Sequence, residues 1–425
     1  MNYPDSVRFL YELGNELKSA KYDLGRMARV LEALGHPECR HPERRPGCFV
    51  HVAGTNGKGS TCAMLEAALR ADGRRTGLYT SPHLRQPTER IRIDGEPVSD
   101  RLFVQAFETV RGVAEELLAR GAIDLHPSYF EMVTAMGFLL FREQRVDIAV
   151  IEVGLGGRLD ATNLVEPELC VITPIDFDHE SFLGKDLPSI ASEKAGILKP
   201  GVPAVVARQR DEVAPVLREQ AARVGCELRH TDEWCVTQLA LDAGGSRFRL
   251  TGRQTIDVVC PLAGSHQVEN AVTAVAALDC LGLREEAISD GIAAVRWPGR
   301  LEHIGNFVLD GAHNPAGARA LAAYVREFYG GRRKRLIFGA MRDKAIDEMA
   351  GALFPLFDEV IVTAPRQPRA LDPASYREVV EHPKLVEAVD LPAALERVQG
   401  SPDPVFISGS LFLVAEAREL LEHKA

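Results

Sequence analysis

His51-Val52-Ala53-Gly54-Thr55-Asn56-Gly57-Lys58-Gly59-Ser60 decides the fold of this chain. The segment closes a short apolar run over 49–53 and opens a stretch of helical periodicity over 58–71, so it joins a buried strand to a helix. A phosphate-binding loop requires that context. Glycines let backbone amides converge on phosphate oxygens, the helix N-terminus adds positive potential, and Lys58 reaches the terminal phosphates. The segment departs from G-x-x-x-x-G-K-[ST] twice: Val52 stands at the first glycine, and Gly59 intervenes before Ser60, the candidate magnesium hydroxyl. A tight glycine turn is the plainer alternative, but the strand-to-helix setting favours phosphate.

Outward from this loop, short apolar runs alternate with helical stretches, the pattern of βαβ units around a mainly parallel sheet. Strands are expected at 77–80, 147–153 and 169–174, with a hairpin over 91–98 turning at Asp94-Gly95. Two long helices lie between them, and Ser128 and Glu131 stand in capping-box spacing at the start of the second, which reaches about Phe141. Upstream, helices are expected at 6–18 and 23–34, the latter with Asp23 as N-cap and Gly35 as its stop. Residues 234–261 read as short strands without helices, an edge elaboration of the first domain, and 268–281 returns to helix. Trp297-Pro298-Gly299-Arg300 breaks the pattern, and a fresh alternation of strands and helices follows. Two α/β domains are therefore expected, over 1–296 and 297–425, each around a mainly parallel sheet.

Length and composition agree. A chain of 425 residues exceeds what one core usually supports. Its 46% apolar and 26% charged residues exclude a disordered, collagen-like or disulfide-scaffold protein. Fifty Lys and Arg against 60 Asp and Glu leave a charge of -10, which gives nucleic acid no global electrostatic attraction. The eight cysteines show no C-x-x-C spacing and are expected to be reduced, as in the cytoplasm. Asp5, Glu12 and Glu16 oppose an export signal, and no stretch reaches the roughly 18 apolar residues of a membrane helix. A soluble cytoplasmic protein without a membrane partner is the expectation.

Further groups that carry chemistry sit at strand ends. The apolar run Asp147 to Ile151 ends in Glu152, where a carboxylate beside a phosphate loop serves as a magnesium ligand. The glycine-rich 154–163 precedes no evident helix and reads as a substrate-facing loop. His179 follows the 169–174 strand at its carboxyl end, where open α/β sheets bind ligands, although a lone histidine is more often structural. Lys194 reads, from its local sequence, as a solvent-facing helical lysine. Asp310-Gly311-Ala312-His313-Asn314-Pro315 puts a carboxylate and an imidazole at a second strand-to-helix join; a plain helix cap is the alternative. Ser408-Gly409-Ser410-Leu411 repeats that join and reads equally as a cap.

In these motifs, together with Thr80-Ser81-Pro82-His83-Leu84, Glu193-Lys194-Ala195-Gly196, His266-Gln267, Glu269-Asn270 and Pro298-Gly299-Arg300, the sequence resembles the folylpolyglutamate synthase and dihydrofolate synthase family of the Mur ligase superfamily. The resemblance implies an ATP-binding domain, a smaller Rossmann-like C-terminal domain and an active site between them. It implies that Gly54, Thr55, Asn56, Gly57, Lys58, Gly59 and Ser60 hold ATP, with Ser60, Ser81 and Glu152 around a first Mg²⁺. His179 would hold a second Mg²⁺, helped by Lys194, which the family carries as a carbamate. Asn270, Arg300 and Asp310 would contact nucleotide, and His313 and Ser410 would lie near the incoming L-glutamate. Asp23, Arg26, Phe130 and Asp160 match pterin-binding segments more loosely.

The implied reaction transfers the γ-phosphoryl group of ATP to a carboxylate of dihydropteroate or a reduced folate, and the amine of glutamate then displaces phosphate. Two cations and Lys58 would offset the charge on the moving group. Bifunctionality and a monomer are expected from the resemblance. A cell-wall precursor ligase fits less well, because only about fifty residues precede the loop where those enzymes carry an extra domain. A nucleotide-gated switch that forms no bond is the rival from another class.

Overall fold

The computed structural model describes residues 1–14, 24–39 and 48–422. Strand β1 (Cys48–Ala53) is buried along its whole length, because it lies inside an eight-stranded sheet. The other members are β2 (Thr76–Tyr79), β3 (Ile91–Ile93), β4 (Glu96–Pro97), β5 (Ile148–Glu152), β6 (Leu169–Ile172), β7 (Ala204–Val206) and β8 (Leu228–His230), in the order β4-β3-β2-β5-β1-β6-β7-β8. β2, β5, β1, β6, β7 and β8 run parallel, and the β3-β4 hairpin adds antiparallel at one edge. Asp94 and Gly95 both take positive φ at its turn, the geometry for which an Asp-Gly pair is suited.

Parallel strands covered on both faces must be apolar on both. Val50, Val52 and Val150 face helices Lys58–Ala71 and Ser265–Cys280, while Phe49, Ala149 and Ile151 face helices Asp100–Ala119 and Tyr129–Glu143. Ser128 and Glu131 close the expected capping box on the last of these. Register brings Val52 level with Glu152 and Ala53 level with Ile172, so the carboxyl ends of β1, β5 and β6 open on one rim.

The strands of 234–261 do not extend this sheet. They form a separate antiparallel sheet of β9 (Cys235–Asp242), β10 (Gly245–Thr251) and β11 (Thr255–Cys260). Helices 58–71 and 265–280 are buried nearly all round, and such helices need cover on their outer side as well. Phe248, Leu250, Ile256 and Val258 supply it, packing into the core that contains Leu65 and Leu278.

The last third builds a six-stranded sheet from β12 (Glu302–Ile304), β13 (Phe307–Leu309), β14 (Arg335–Phe338), β15 (Glu359–Val362), β16 (Leu385–Glu387) and β17 (Val405–Ser408), in the order β12-β13-β17-β14-β15-β16. Only β12 runs antiparallel, and separate apolar cores cover the two faces. Near the N-terminus the described helices are Tyr3–Glu12 and Gly25–Ala33. The first ends at Glu12 with Leu13 as its C-cap, short of the expected residue 18; residues 15–18, and Asp23 as cap of the second, lie outside the described residues. Among the described residues no helix is long and apolar enough to cross a membrane.

Candidate functional site

The loop after β1 is shaped by close approaches that leave no room for side chains. A Cβ on Gly54 would stand 1.8 Å from Thr173 Oγ1, and one on Gly57 would stand 2.2 Å from Asn270 Oδ1. Gly57, at φ +84, is the N-cap of the helix and offers no capping side chain, so nothing from the loop competes for the first-turn amides. Lys58 curls back, its Nζ donating to the carbonyl oxygens of Gly54 and Thr55 at 3.1 Å each.

Glu152, at the end of β5, is 5% exposed and faces this loop. Its Oε2 accepts a 3.1 Å bond from the Ser81 amide. Burial pushes its carboxyl above the usual range, and the nearby Lys58 charge opposes that shift. Ser60 is also buried, and its Oγ accepts from Gln267 Nε2 at 3.3 Å. Two serines and a carboxylate thus meet beside the helix start, a hard oxygen donor set of the kind Mg²⁺ takes.

Beyond β6 the chain supplies Asp176, Asp178 and His179. Burial alone would raise the Asp178 carboxyl, but His313, His179 and Lys344 outweigh it and hold it far below the ordinary carboxylate range. Lys344 Nζ lies 2.7 Å from Asp178 Oδ1, and Asn314 Nδ2 donates to Oδ2 at 3.0 Å. His179 takes a left-handed φ of +52, and burial lowers its imidazole to about 4 against the attraction of Asp178.

Lys194 does not face solvent as its local sequence suggested. It is 5% exposed, and its Nζ donates to the Gly54 carbonyl oxygen at 2.9 Å. The cause is the glycine-rich loop: a Cβ on Gly157 would lie 2.7 Å from Glu193 O, and one on Gly196 would lie 2.4 Å from Arg158 Cβ. Helix Leu187–Ala195 is therefore pressed against that loop, and Lys194 is left inside. Burial, then the charge of Lys58, bring its amine down to about 7.

The second sheet delivers its groups from across the cleft. Asp310 accepts from the amides of Leu301 and Ala312, both at 3.0 Å, and so fixes the turn between Arg300 and His313. His313 Nδ1 donates to Gly311 O at 2.8 Å, which leaves Nε2 3.6 Å from Asp178 Oδ2. Asn314 caps helix Pro315–Tyr329 through Gly317 N at 2.8 Å, while its Nδ2 also reaches Asn56 Oδ1 at 3.0 Å. Arg319 adds a 3.1 Å contact to Asp176.

These groups surround one cavity of about 490 Å³. It gathers Gly54 to Ser60, Ser81, Glu152, His179, Lys194, Asn270, Arg300, Asp310 and His313. Ser410 does not line it: its Oγ accepts from Leu413 N at 3.1 Å, the helix-cap alternative, and Leu411 faces the cavity instead. Arg26, Phe130 and Asp160 stand outside the lining too. Arg26 pairs with Glu131 at 2.8 Å, and Phe130 and Asp160 lie behind Gly154, where a Cβ would meet them at 2.4 and 3.2 Å. Asp160 accepts from Leu155 N at 2.8 Å and Thr162 N at 3.0 Å, so it shapes the loop. Asp23 lies outside the described residues. Sequence reasoning gave no role to Asp178, Asn314, Arg319 or Lys344; the signal available for Lys344 was its place just beyond the carboxyl end of β14.

Residues 110–278 match the Mur ligase middle domain, and residues 299–411 match the Mur ligase, glutamate ligase domain. The folylpolyglutamate synthase of Lacticaseibacillus casei is 36% identical, with 99% of each chain covered. The dihydrofolate synthase/folylpolyglutamate synthase of Mycobacterium tuberculosis is 38% identical over 82% of this chain and 75% of that one. The structure of Mycobacterium tuberculosis folylpolyglutamate synthase complexed with ADP superposes with a TM-score of 0.90 at 34% identity, covering 99% of both chains. With a cavity that joins a phosphate-type loop to the rim of a second sheet, and with likeness over its full length, the chain belongs to the folylpolyglutamate synthase/dihydrofolate synthase family of Mur ligases.

Proposed function

We propose that this protein is an ATP-dependent ligase that adds L-glutamate to dihydropteroate and to the γ-carboxyl of reduced folates through an acyl phosphate. The observation that carries this reading is the single cavity lined by Gly54–Ser60 on one side and by Asp310–Asn314 on the other. A nucleotide switch needs the first set; joining two substrates calls for both. The boundary between the two units is drawn at 296/297, just before the Pro298-Gly299-Arg300 turn.

The phosphates of ATP sit on the first-turn amides of helix Lys58–Ala71, and Lys58 swings from the loop carbonyls to the transferred group. Asn270, Arg300 and Asp310 border the nucleotide. An oxygen of the substrate carboxylate attacks the γ-phosphorus, and the bond to ADP breaks. The glutamate amine, guided by His313, attacks the acyl carbon; phosphate leaves, and the amine gives up its proton. The Asp178–Lys344 and Asn314–Asn56 contacts hold the halves together and exclude water from the acyl phosphate.

The buried oxygens of Ser60 and Glu152, with the half-buried Ser81 beside them, fit a first Mg²⁺, and a cation there would neutralise charge on the phosphates. A second Mg²⁺ at His179 fits only one form of Lys194, which lines the same cavity. A Lys194 ammonium would repel it, whereas an amine brought down to about 7 reacts with CO₂, losing a proton and becoming a carbamate anion. The protein is read as a monomer in a reducing compartment such as the cytoplasm, since its cysteines show no C-x-x-C spacing or disulfide framework in the sequence.

Product analysis tests the proposal. Dihydropteroate and tetrahydrofolate are supplied separately with ATP and glutamate, and products are followed by mass spectrometry alongside ADP release. Glutamylated product from both substrates is expected. ADP release without any glutamylated product would instead support a nucleotide switch, and product from one substrate alone would remove the second activity.

A further inference from the structure

Outside this cavity, the chain leaving helix Gly25–Ala33 turns through Gly35 (φ +78) and His36 (φ +53). Left-handed backbone is uncommon for a residue with a side chain. Here it accompanies a close cluster. His36 Nδ1 lies 3.0 Å from Glu38 Oε1, and Cys39 Sγ lies 3.6 Å from the same oxygen. One nitrogen, one oxygen and one sulfur donor all fall within 4.8 Å of one another. The backbone just before them is anchored, because Arg142 Nη1 donates to the carbonyls of Leu34 and Gly35 at 2.7 and 3.1 Å.

One observation beyond the cluster itself points to a cation. Glu38 is 5% exposed, yet its Oε2 has no hydrogen-bond partner among the described residues. A buried carboxylate left half-satisfied is costly unless a positive charge faces it. The spacing of the donors is compatible with one. Bonds of about 2.0 Å to N and O and about 2.3 Å to S, at the tetrahedral angle, set N and O about 3.3 Å apart and S and O about 3.5 Å apart. The observed 3.0 and 3.6 Å, both hydrogen bonds to Oε1 that metal binding would replace, lie near those edges.

We propose that His36, Glu38 and Cys39 bind a zinc ion, at a site distinct from the nucleotide cavity, that ties down the turn following helix Gly25–Ala33. Mixed nitrogen, oxygen and sulfur donors select zinc over Mg²⁺ and Ca²⁺, which prefer oxygen alone. On binding, the Cys39 thiol releases its proton to solvent and the sulfur bonds the metal, while a water or a further ligand completes the tetrahedron. None of the three residues lines the cavity.

The test uses the full chain, stripped with chelator, exposed to zinc chloride and dialysed against metal-free buffer. Plasma mass spectrometry should find one zinc per chain in the wild type and none in Cys39→Ser or His36→Gln, with folding of both variants checked by circular dichroism. Cobalt(II) titrated into the stripped protein should give a thiolate-to-metal charge-transfer band in the near ultraviolet that Cys39→Ser lacks. Zinc should raise the Tm of the wild type but not of Cys39→Ser, and ligase activity should persist in that variant. No bound zinc in the wild type, equal zinc in all three proteins, or a cobalt spectrum without the thiolate band would each overturn the assignment.

Discussion

The Lys194 ammonium nitrogen donates a 2.9 Å hydrogen bond to the carbonyl oxygen of Gly54, the first residue of the phosphate-type loop. A lysine distant in sequence thus stands at the point where the loop leaves β1. Because burial and Lys58 bring its amine down to about 7, a substantial neutral fraction is present at physiological pH. If carbamylation is required, activity of CO₂-depleted enzyme should recover on adding bicarbonate, and faster as pH rises through 7. Lys194→Ala should be severely impaired and partly rescued by a small carboxylic acid at high concentration. Lys194→Arg should be no better, since it keeps the positive charge. A fully active Lys194→Ala enzyme would end this reading.

The same residue predicts a stability profile. Its ordinary pKa is 10.5 and its folded value is about 7, so between these limits the unfolded chain holds the extra proton. Stability of the unmodified protein should therefore rise with pH across that window. Lys194→Met should flatten the rise, as measured by denaturant unfolding at several pH values in CO₂-free buffer.

Lys58→Ala removes the charge that meets the moving phosphoryl group but leaves the helix-start amides in place. A loss of about a thousandfold in kcat is expected, with ATP binding weakened far less. Stopped assays of ADP formation and a separate nucleotide-binding titration distinguish the two effects, and turnover near wild type would contradict the role.

His313→Ala should raise KM for glutamate more than Kd for ATP, because Nε2 points across the cleft to Asp178 at 3.6 Å. The opposite pattern, weak ATP binding with an unchanged KM for glutamate, would assign His313 to the nucleotide.

Asn314→Ala deletes two bonds between the halves, to Asn56 and to Asp178. If those bonds keep water from the acyl phosphate, the variant should release more ADP than it forms glutamylated product. Equal amounts of the two, measured in one reaction, would show that closure does not depend on Asn314.

Much of the architecture was legible because local rules and tertiary packing agree. The apolar runs that became β1, β5 and β6 are buried on both faces, and such strands carry their pattern openly. The helix over 58–71, the Asp94-Gly95 turn and the Ser128–Glu131 capping box depend on residues a few positions apart. The 234–261 strands were legible as strands but not in their placement, since the surface they cover is shared between the adjoining helix Ser265–Cys280 and helix Lys58–Ala71, far from them in sequence.

The sequence by itself determined the loop of Gly54 to Ser60, the carboxylate at the end of β5 and the strand-to-helix join at Asp310 to Asn314, because each is a contiguous run whose residue types mark it without reference to what packs against it. Tertiary structure alone decided the fate of Lys194, the removal of Ser410, Phe130 and Asp160 from the cavity lining, and the meeting of Asp178 with Lys344 and Asn314. Burial and charge pairing depend on what packs against a side chain from elsewhere in the chain, and a periodicity of two or 3.6 residues carries no record of that partner.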